Sequence, residues 1–346
     1  MHPQRAGDRL SYSRNAPTRP TIRPPPASGF KPAKAIGSKM TESLVGAGGW
    51  GYFSGGLEAY AKAFRFAEVN ATFYRRIPEA MARHWRTRVP SDFVFSIKAN
   101  RDVTHAGRLR ASAAARDAFG HSLRTARILR APFVILETPA SLKIESDQVA
   151  GLGDLVGMAD RGIRIGLEAR AYAGKALPRG LHRTMEETGI LDVVDLSQTG
   201  PRLAGDTQYT RLFGPGPHNV YQFDDEELRA IDRAGGDAVR VAFTFHGVRM
   251  YSDATRFLTF KRTGVFPAAT PSRGLASLEA VLMPDARFPS SKDDLVQRHG
   301  WKLIDLDDQT RAHAYRLLSA LPRQTFRSIG EVVQALGAGV PEAKKG

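Results

Sequence analysis

Seven short apolar runs in this chain end in residues that can carry charge or move a proton. The ends are Glu68 with Asn70, Lys98 with Asn100, Glu137, Glu168 with Arg170, Asp195, Arg211 and His246. Glu68, Glu137, Glu168 and Asp195, together with His105 and His246, are oxygen and imidazole donors of the kind that hold divalent ions. Such an ion lowers the pKa of a bound water toward neutrality and so enables hydrolysis. Without a metal, two of the carboxylates could serve as acid and base on a sugar. A plainer alternative pairs Glu168 with Arg170 and Glu137 with Lys98 as ion pairs and leaves the histidines as hydrogen-bonding loop residues. Lys98, Arg170 and Arg211 are cations suited to phosphate, and Trp50, Phe73, Tyr74 and Tyr221 could stack on bases or sugar rings. The stretch Arg211-Leu-Phe-Gly-Pro-Gly-Pro-His-Asn219 adds backbone amides beside a cation and an imidazole, a phosphate-binding combination. The chain has no cysteine, so any metal must rest on carboxylates and histidines.

These residues share a site only if the apolar runs converge. The runs are Leu44–Ala47, Phe66–Asn70, Phe93–Lys98, Phe133–Glu137, Ile163–Glu168, Leu191–Leu196, Tyr209–Phe213 and Val239–Phe245. Between them lie helical patterns. Residues 111–130 place Phe119, Leu123, Ala126 and Leu129 on one face, and residues 146–160 place Val149, Leu152, Val156 and Ala159 on one face. The sixth connection, 197–208, is too short and too rich in Gly and Pro for a helix. Eight strands alternating with helices predict an α/β fold of the (β/α)₈ TIM-barrel type, in which the C-terminal strand ends surround one mouth. Within a strand the side chains alternate, so Glu68, Asn70 and Thr72 belong to one face.

The net charge of +15 is unevenly placed. Residues 1–40 hold eight Lys and Arg against one acid, with seven prolines, which predicts a disordered basic tail over 1–43. It reads as a dispensable extension or as an arm that touches nucleic acid. The barrel is expected over 44–263, a Pro/Gly/Ser linker over 264–274 and a small helical module over 275–340. Ser328 and Glu331 form a capping-box pattern ahead of the module's last helix. No apolar run is long enough to span a membrane, and the absence of cysteine agrees with a cytoplasmic protein.

Gly46-Ala-Gly48-Gly-Trp-Gly51 matches the dinucleotide fingerprint G-x-G-x-x-G. The fingerprint requires a helix to start at the glycines, whereas Tyr52-Phe-Ser-Gly-Gly56 opens a loop. No nicotinamide or flavin cofactor is expected.

Taken together, Gly46-Ala-Gly-Gly-Trp50-Gly-Tyr52, Phe66-Ala-Glu68-Val-Asn70-Ala-Thr72-Phe-Tyr74, Phe93-Val-Phe-Ser-Ile-Lys98-Ala-Asn100, Thr104-His105 with Arg108-Leu109, Glu168-Ala-Arg170 and Tyr209-Thr-Arg211-Leu-Phe-Gly214 follow a known order. Over about residues 44–263 the chain resembles the YecE-like family, domain of unknown function 72. The resemblance implies a TIM barrel, in agreement with the strand count. The family has no established reaction, and the similarity of its barrel site to metal-dependent apurinic endonucleases such as endonuclease IV implies nucleic-acid binding or cleavage. Phe213 stands where the family pattern has His, His246-Gly247 where it has Asn-Asn, and Glu137 where it has Gln. An imidazole has thus moved from the seventh strand to the eighth. The segments Phe288–Leu295, Gly300–Lys302, Leu321-Pro and Phe326–Ser328 resemble a small helical module found in some archaeal-type members.

The leading expectation is a metal-assisted phosphodiester hydrolase that acts on DNA, RNA or a phosphorylated small molecule. Glu68, Glu168 and His105 are its candidate catalytic groups. Glu68, Glu168 and His246 are the candidate ligands for zinc, manganese or magnesium. Trp50, Asn70, Tyr74, Lys98, Asn100, Glu137, Arg170 and Arg211 are the candidate substrate contacts. The rivals are a non-catalytic nucleic-acid-binding protein and a metal-independent sugar or sugar-phosphate enzyme.

Overall fold

Eight parallel strands order themselves around a common axis in the computed structural model, which describes residues 41–338. They are β1 (Glu42–Ala47), β2 (Phe66–Val69), β3 (Val94–Lys98), β4 (Phe133–Glu137), β5 (Arg164–Glu168), β6 (Leu191–Asp192), β7 (Thr207–Leu212) and β8 (Arg240–Phe245). Hydrogen bonding runs β6-β5-β4-β3-β2-β1-β8-β7, and a parallel bridge from Val194 to Thr210 joins the two ends. The fold is a TIM-type (β/α)₈ barrel. Helices fill every connection between successive strands except the one between β6 and β7, where residues 193–206 form turns. The proposed basic tail lies outside the described residues except for its last three positions, and Glu42 and Ser43 already belong to β1. No helix among the described residues is long and apolar enough to cross a membrane.

The period of two decides what fills the barrel. Leu44, Phe66, Phe133, Ile135, Leu191, Val193, Tyr209 and Ala242 form an apolar cluster of their own, separate from the larger core between strands and helices. Two residues further along their strands stand Glu68, Glu137 and Arg211, so the apolar floor becomes a polar layer at the C-terminal ends. Gly166 makes room inside: a Cβ there would lie 2.7 Å from Val193 and 2.8 Å from Ile135.

Helix Ala113–Leu129 buries Phe119, Leu123, Ala126 and Leu129 as the spacing predicts, and Ser112 caps its start. In helix Ser146–Val156 the buried face turns by one residue, to Gln148, Gly151, Leu152 and Leu155. The cause is Gly151, whose missing Cβ lets the Leu109–Ala111 backbone approach closely.

The C-terminal segment carries helices Gly274–Leu282, Lys292–His299, Tyr315–Leu318 and Ile329–Gly337. It also contains two antiparallel ribbons, β9 (Ser290–Ser291) with β12 (Thr325–Phe326) and β10 (Leu303–Asp305) with β11 (Arg311–His313), which a purely helical reading lacks. Its core is Leu278, Leu282, Leu295, Ile304, Leu318, Leu321, Phe326, Val332 and Leu336. The Ser328 hydroxyl accepts from Glu331 N, but the Glu331 carboxylate reaches back to Arg327 N, so the capping box is displaced by one residue. The connecting stretch is anchored, because Phe266 is buried in the barrel core and stacks on Phe260 at 4.3 Å. Leu303 N donates to Gln222 Oε1 at 3.0 Å and Arg311 Nε to Asp225 at 2.8 Å, which holds the segment on the barrel.

Candidate functional site

Arg211, on β7, is buried at the centre of the barrel mouth, and three glutamates from three strands surround it. Its Nε and Nη2 donate to Glu68 Oε1 at 3.2 and 3.1 Å, and its Nη1 contacts Glu137 Oε2 and Glu168 Oε2. The second oxygen of Glu68 accepts from the Tyr209 hydroxyl at 2.8 Å, and that hydroxyl meets Ser96 Oγ at 2.6 Å. Glu168 Oε1 accepts from Arg170 Nε at 3.0 Å. Glu137 Oε2 also takes Lys98 Nζ at 2.7 Å and Arg170 Nη2 at 3.1 Å, so three cations converge on one carboxylate oxygen.

The electrostatics follow from this geometry. Burial pushes the Glu137 carboxyl up, but Arg211, Lys98 and Arg170 outweigh it and hold it down to about 2. Burial and then Arg211 lower Lys98 below the ordinary lysine value, against the pull of Glu137. Burial, reinforced by Arg211, Lys98 and Arg170, lowers His246 well below its usual value, so its imidazole is neutral near pH 7. Burial would lower Arg211, yet its three glutamates keep it firmly protonated.

An open pocket of about 790 Å³ lies above this layer. Arg75, Lys98, Arg170 and Arg211 line it against a single carboxylate, Glu137, while Glu68 and Glu168 sit behind the wall. Trp50, Tyr52, Tyr74, Trp85 and Phe213 supply aromatic surface. Tyr52 and Tyr74 are 92% and 70% exposed at the rim, and Trp50 packs edge-on against Trp85 at 5.3 Å. Asn70 lines the pocket, its amide held by Gly48 O at 2.8 Å and its Oδ1 left without a partner. Gly46 and Gly48 find their explanation here: a Cβ on Gly48 would overlap His246 Nδ1, and one on Gly46 would overlap Phe66 O. The helix that follows starts only at Gly56.

Several expected roles change. Glu68, Glu168 and His246 do not offer free donors to a common point, because both carboxylates are bonded to Arg211 and the His246 ring lies 3.5 Å from Glu68 and 3.2 Å from Thr244. The guanidinium takes the place a divalent ion would need, so this donor set does not fit a metal. Among the described residues, the carboxylate–imidazole group close enough for an ion is Asp224, Glu227 and His313, none of which lines the pocket. There Asp224 and Glu227 already cap a helix and His313 Nε2 bonds Gln222 O. His105 does not line the pocket; it lies in a π-helical turn, Asp102–Ala106, bonded to Thr104 and packed on Phe73. Asn100 is buried and holds Thr72 O and Asp102 N, which makes it a brace for the loop. The amides of Phe213 and Gly214, expected to be free for phosphate, both donate to Asp195 Oδ2. Tyr221 bonds Glu227 and does not line the pocket. The paired reading of Lys98 with Glu137 and Arg170 with Glu168 matches the observed contacts.

Tyr209, Ser96 and Thr244 take part as well. Each lies two residues before a site residue along β7, along β3 or at the end of β8, which is a period-two signal. Arg75, Tyr52 and Trp85 carry no such signal, because loops and a helix bring them to the rim.

A family model described as a protein of unknown function, DUF72, matches residues 53–260. The chain belongs to the DUF72 family. Among solved structures it resembles a DUF72 protein from Enterococcus faecalis V583, with a TM-score of 0.51, 15% identity, and coverage of 66% of this chain and 99% of that one. It also resembles a DUF72 protein from Thermotoga maritima MSB8, with a TM-score of 0.51, 18% identity, and coverage of 64% and 99%. At these identities the likeness shows the fold alone. A search of curated proteins finds no match. Within this DUF72 barrel, Phe213 and His246 both line the pocket and stack with centroids 4.8 Å apart.

Proposed function

We propose that this DUF72 barrel binds a phosphate-bearing strand of nucleic acid at its mouth, without a metal ion. The observation that carries the reading is the pocket wall, where Arg75, Lys98, Arg170 and Arg211 stand against Glu137 alone. Cationic donors that face a concave, partly desolvated site attract an anion even where carboxylates behind them balance the layer's net charge. The volume suits a nucleotide-sized group, and the exposed rings of Tyr52 and Tyr74 at the rim suit base stacking, which is sequence-tolerant.

The chemistry favours this over metal-assisted hydrolysis, because the carboxylate donors are already neutralised by Arg211. It also favours it over a carboxylate-pair sugar enzyme, since Glu137 held near 2 is a poor acid and a weak base. The test is binding of a labelled single-stranded oligonucleotide in the presence of EDTA. Arg170→Gln and Arg75→Gln should each weaken binding several-fold and reduce the salt dependence by about 0.7 per lost phosphate contact. Binding that requires a divalent ion, or that ignores both substitutions, contradicts the proposal. A mononucleotide that binds as tightly as the oligonucleotide assigns the pocket to a small phosphorylated ligand instead.

A further inference from the structure

Lys98 has a position that anion binding alone does not require. Its Nζ has three donors and one carboxylate partner among the described residues, Glu137 at 2.7 Å, and it lies 3.9 Å from the centroid of the Phe73 ring. The side chain is nearly buried, yet it forms part of the pocket wall beside Arg170 and Arg211. We propose that Lys98 forms an imine with the carbonyl carbon of a phosphorylated aldehyde or ketone held in this pocket. The proposal rests on the anion-binding reading, which places the phosphate near the arginines, and it names the reacting group of the ligand.

Burial and Arg211 lower the ammonium below the ordinary lysine value, which raises the fraction of nucleophilic amine near neutrality. The step balances within the ligand and water. The ammonium loses a proton to water, and its lone pair attacks the carbonyl carbon while the C=O π pair moves to oxygen. The oxygen takes up two protons in turn and leaves as water, giving an iminium with one N–H. One ammonium and one carbonyl become one iminium and one water. Reactant and product each carry one positive charge at this nitrogen, and while the amine is neutral Arg211 and Arg170 remain on Glu137, so no buried carboxylate is stranded.

The carbonyl could belong to a free sugar phosphate or to a ring-opened abasic sugar within a strand. Full-length protein is incubated with ribose 5-phosphate in one arm and with a single-stranded oligonucleotide carrying one abasic site in the other. Both are treated with sodium cyanoborohydride, digested and mapped by mass spectrometry. The expected result is an adduct at Lys98 at least tenfold more abundant than at the exposed Lys62 or Lys143, in the arm whose ligand is used, and absent in Lys98→Arg. Its formation should reach half-maximum at a pH below the ordinary lysine value. Adducts confined to exposed lysines, or none at Lys98 in either arm while an intact oligonucleotide still binds, overturn the imine and leave the binding reading standing. Loss of oligonucleotide binding as well overturns both.

Discussion

Glu137 and Glu168 are register partners on the adjacent parallel strands β4 and β5, so two carboxylates stand side by side at the barrel mouth. Arg211 Nη1 contacts both, and Arg170 reaches both from the rim. Together with Glu68, which Arg211 also holds, the two glutamates balance Lys98, Arg170 and Arg211 in a charge-neutral layer, and the pocket above sees mainly its cationic side.

Replacing the central cation should be costly. Arg211→Met leaves Glu68, Glu137 and Glu168 without their shared partner, and removal of one member of a buried pair costs on the order of 3–5 kcal/mol. Urea denaturation at pH 7 should show this loss, and Arg211→Lys should recover only part of it, because an ammonium lacks the planar fork that reaches three carboxylates.

Acid should unlock the same layer. The Glu137 carboxyl is depressed from its ordinary 4.5 to about 2, so its contribution to stability is present above the ordinary value and is lost as pH falls toward 2. Glu137→Gln should lower the midpoint of unfolding at pH 7 and have little effect near pH 2. An equal loss at both pH values would mean that packing and not charge makes the difference.

The opposite sign is expected at Asp253. Burial raises its carboxyl to about 7, despite the nearby Arg256, and its Oδ1 has no hydrogen-bond donor. A raised carboxyl is at no disadvantage below its ordinary 3.8, and stability is lost as pH climbs through 7. Asp253→Asn should raise the Tm at pH 8 more than at pH 4, as followed by thermal melts.

Gly48→Ala should disturb the site without touching its charges. The new methyl would overlap His246 and lie 2.7 Å from the Asn70 amide, so the β1 loop must move away from β8. Oligonucleotide binding should weaken about tenfold or more, with a Tm loss small enough to leave the barrel folded at 25 °C.

These residues also show what the sequence could and could not reveal. The strands were legible because apolar runs and charged ends recur, but the alternation that puts Glu68 inside stops at Val69, since Asn70 has helical backbone and Thr72 lies in the short helix Ala71–Tyr74. The pairing of Glu68 with Arg211 was not legible, since it spans 143 residues and depends on how β7 closes against β6 and β8. His105 lies in the loop after β3 as expected, but no sequence pattern announces the π-helical turn that packs its ring on Phe73. The glycines of the first loop matched a cofactor fingerprint, although what they satisfy is close approach to His246 and Phe66. The ribbons of the C-terminal segment are two or three residues long and have no local pattern to announce them.

The central claim, a phosphate held by the cationic wall of the mouth, is tested most directly by a crystal structure of the protein with a 5′-phosphorylated thymidine dinucleotide, grown in EDTA. The account predicts a phosphate within hydrogen-bond distance of Arg170 and Lys98, with a base against Tyr74 or Trp50. A phosphate bound only outside the pocket, or a metal ion seated on Glu68 and Glu168 with Arg211 displaced, would contradict it.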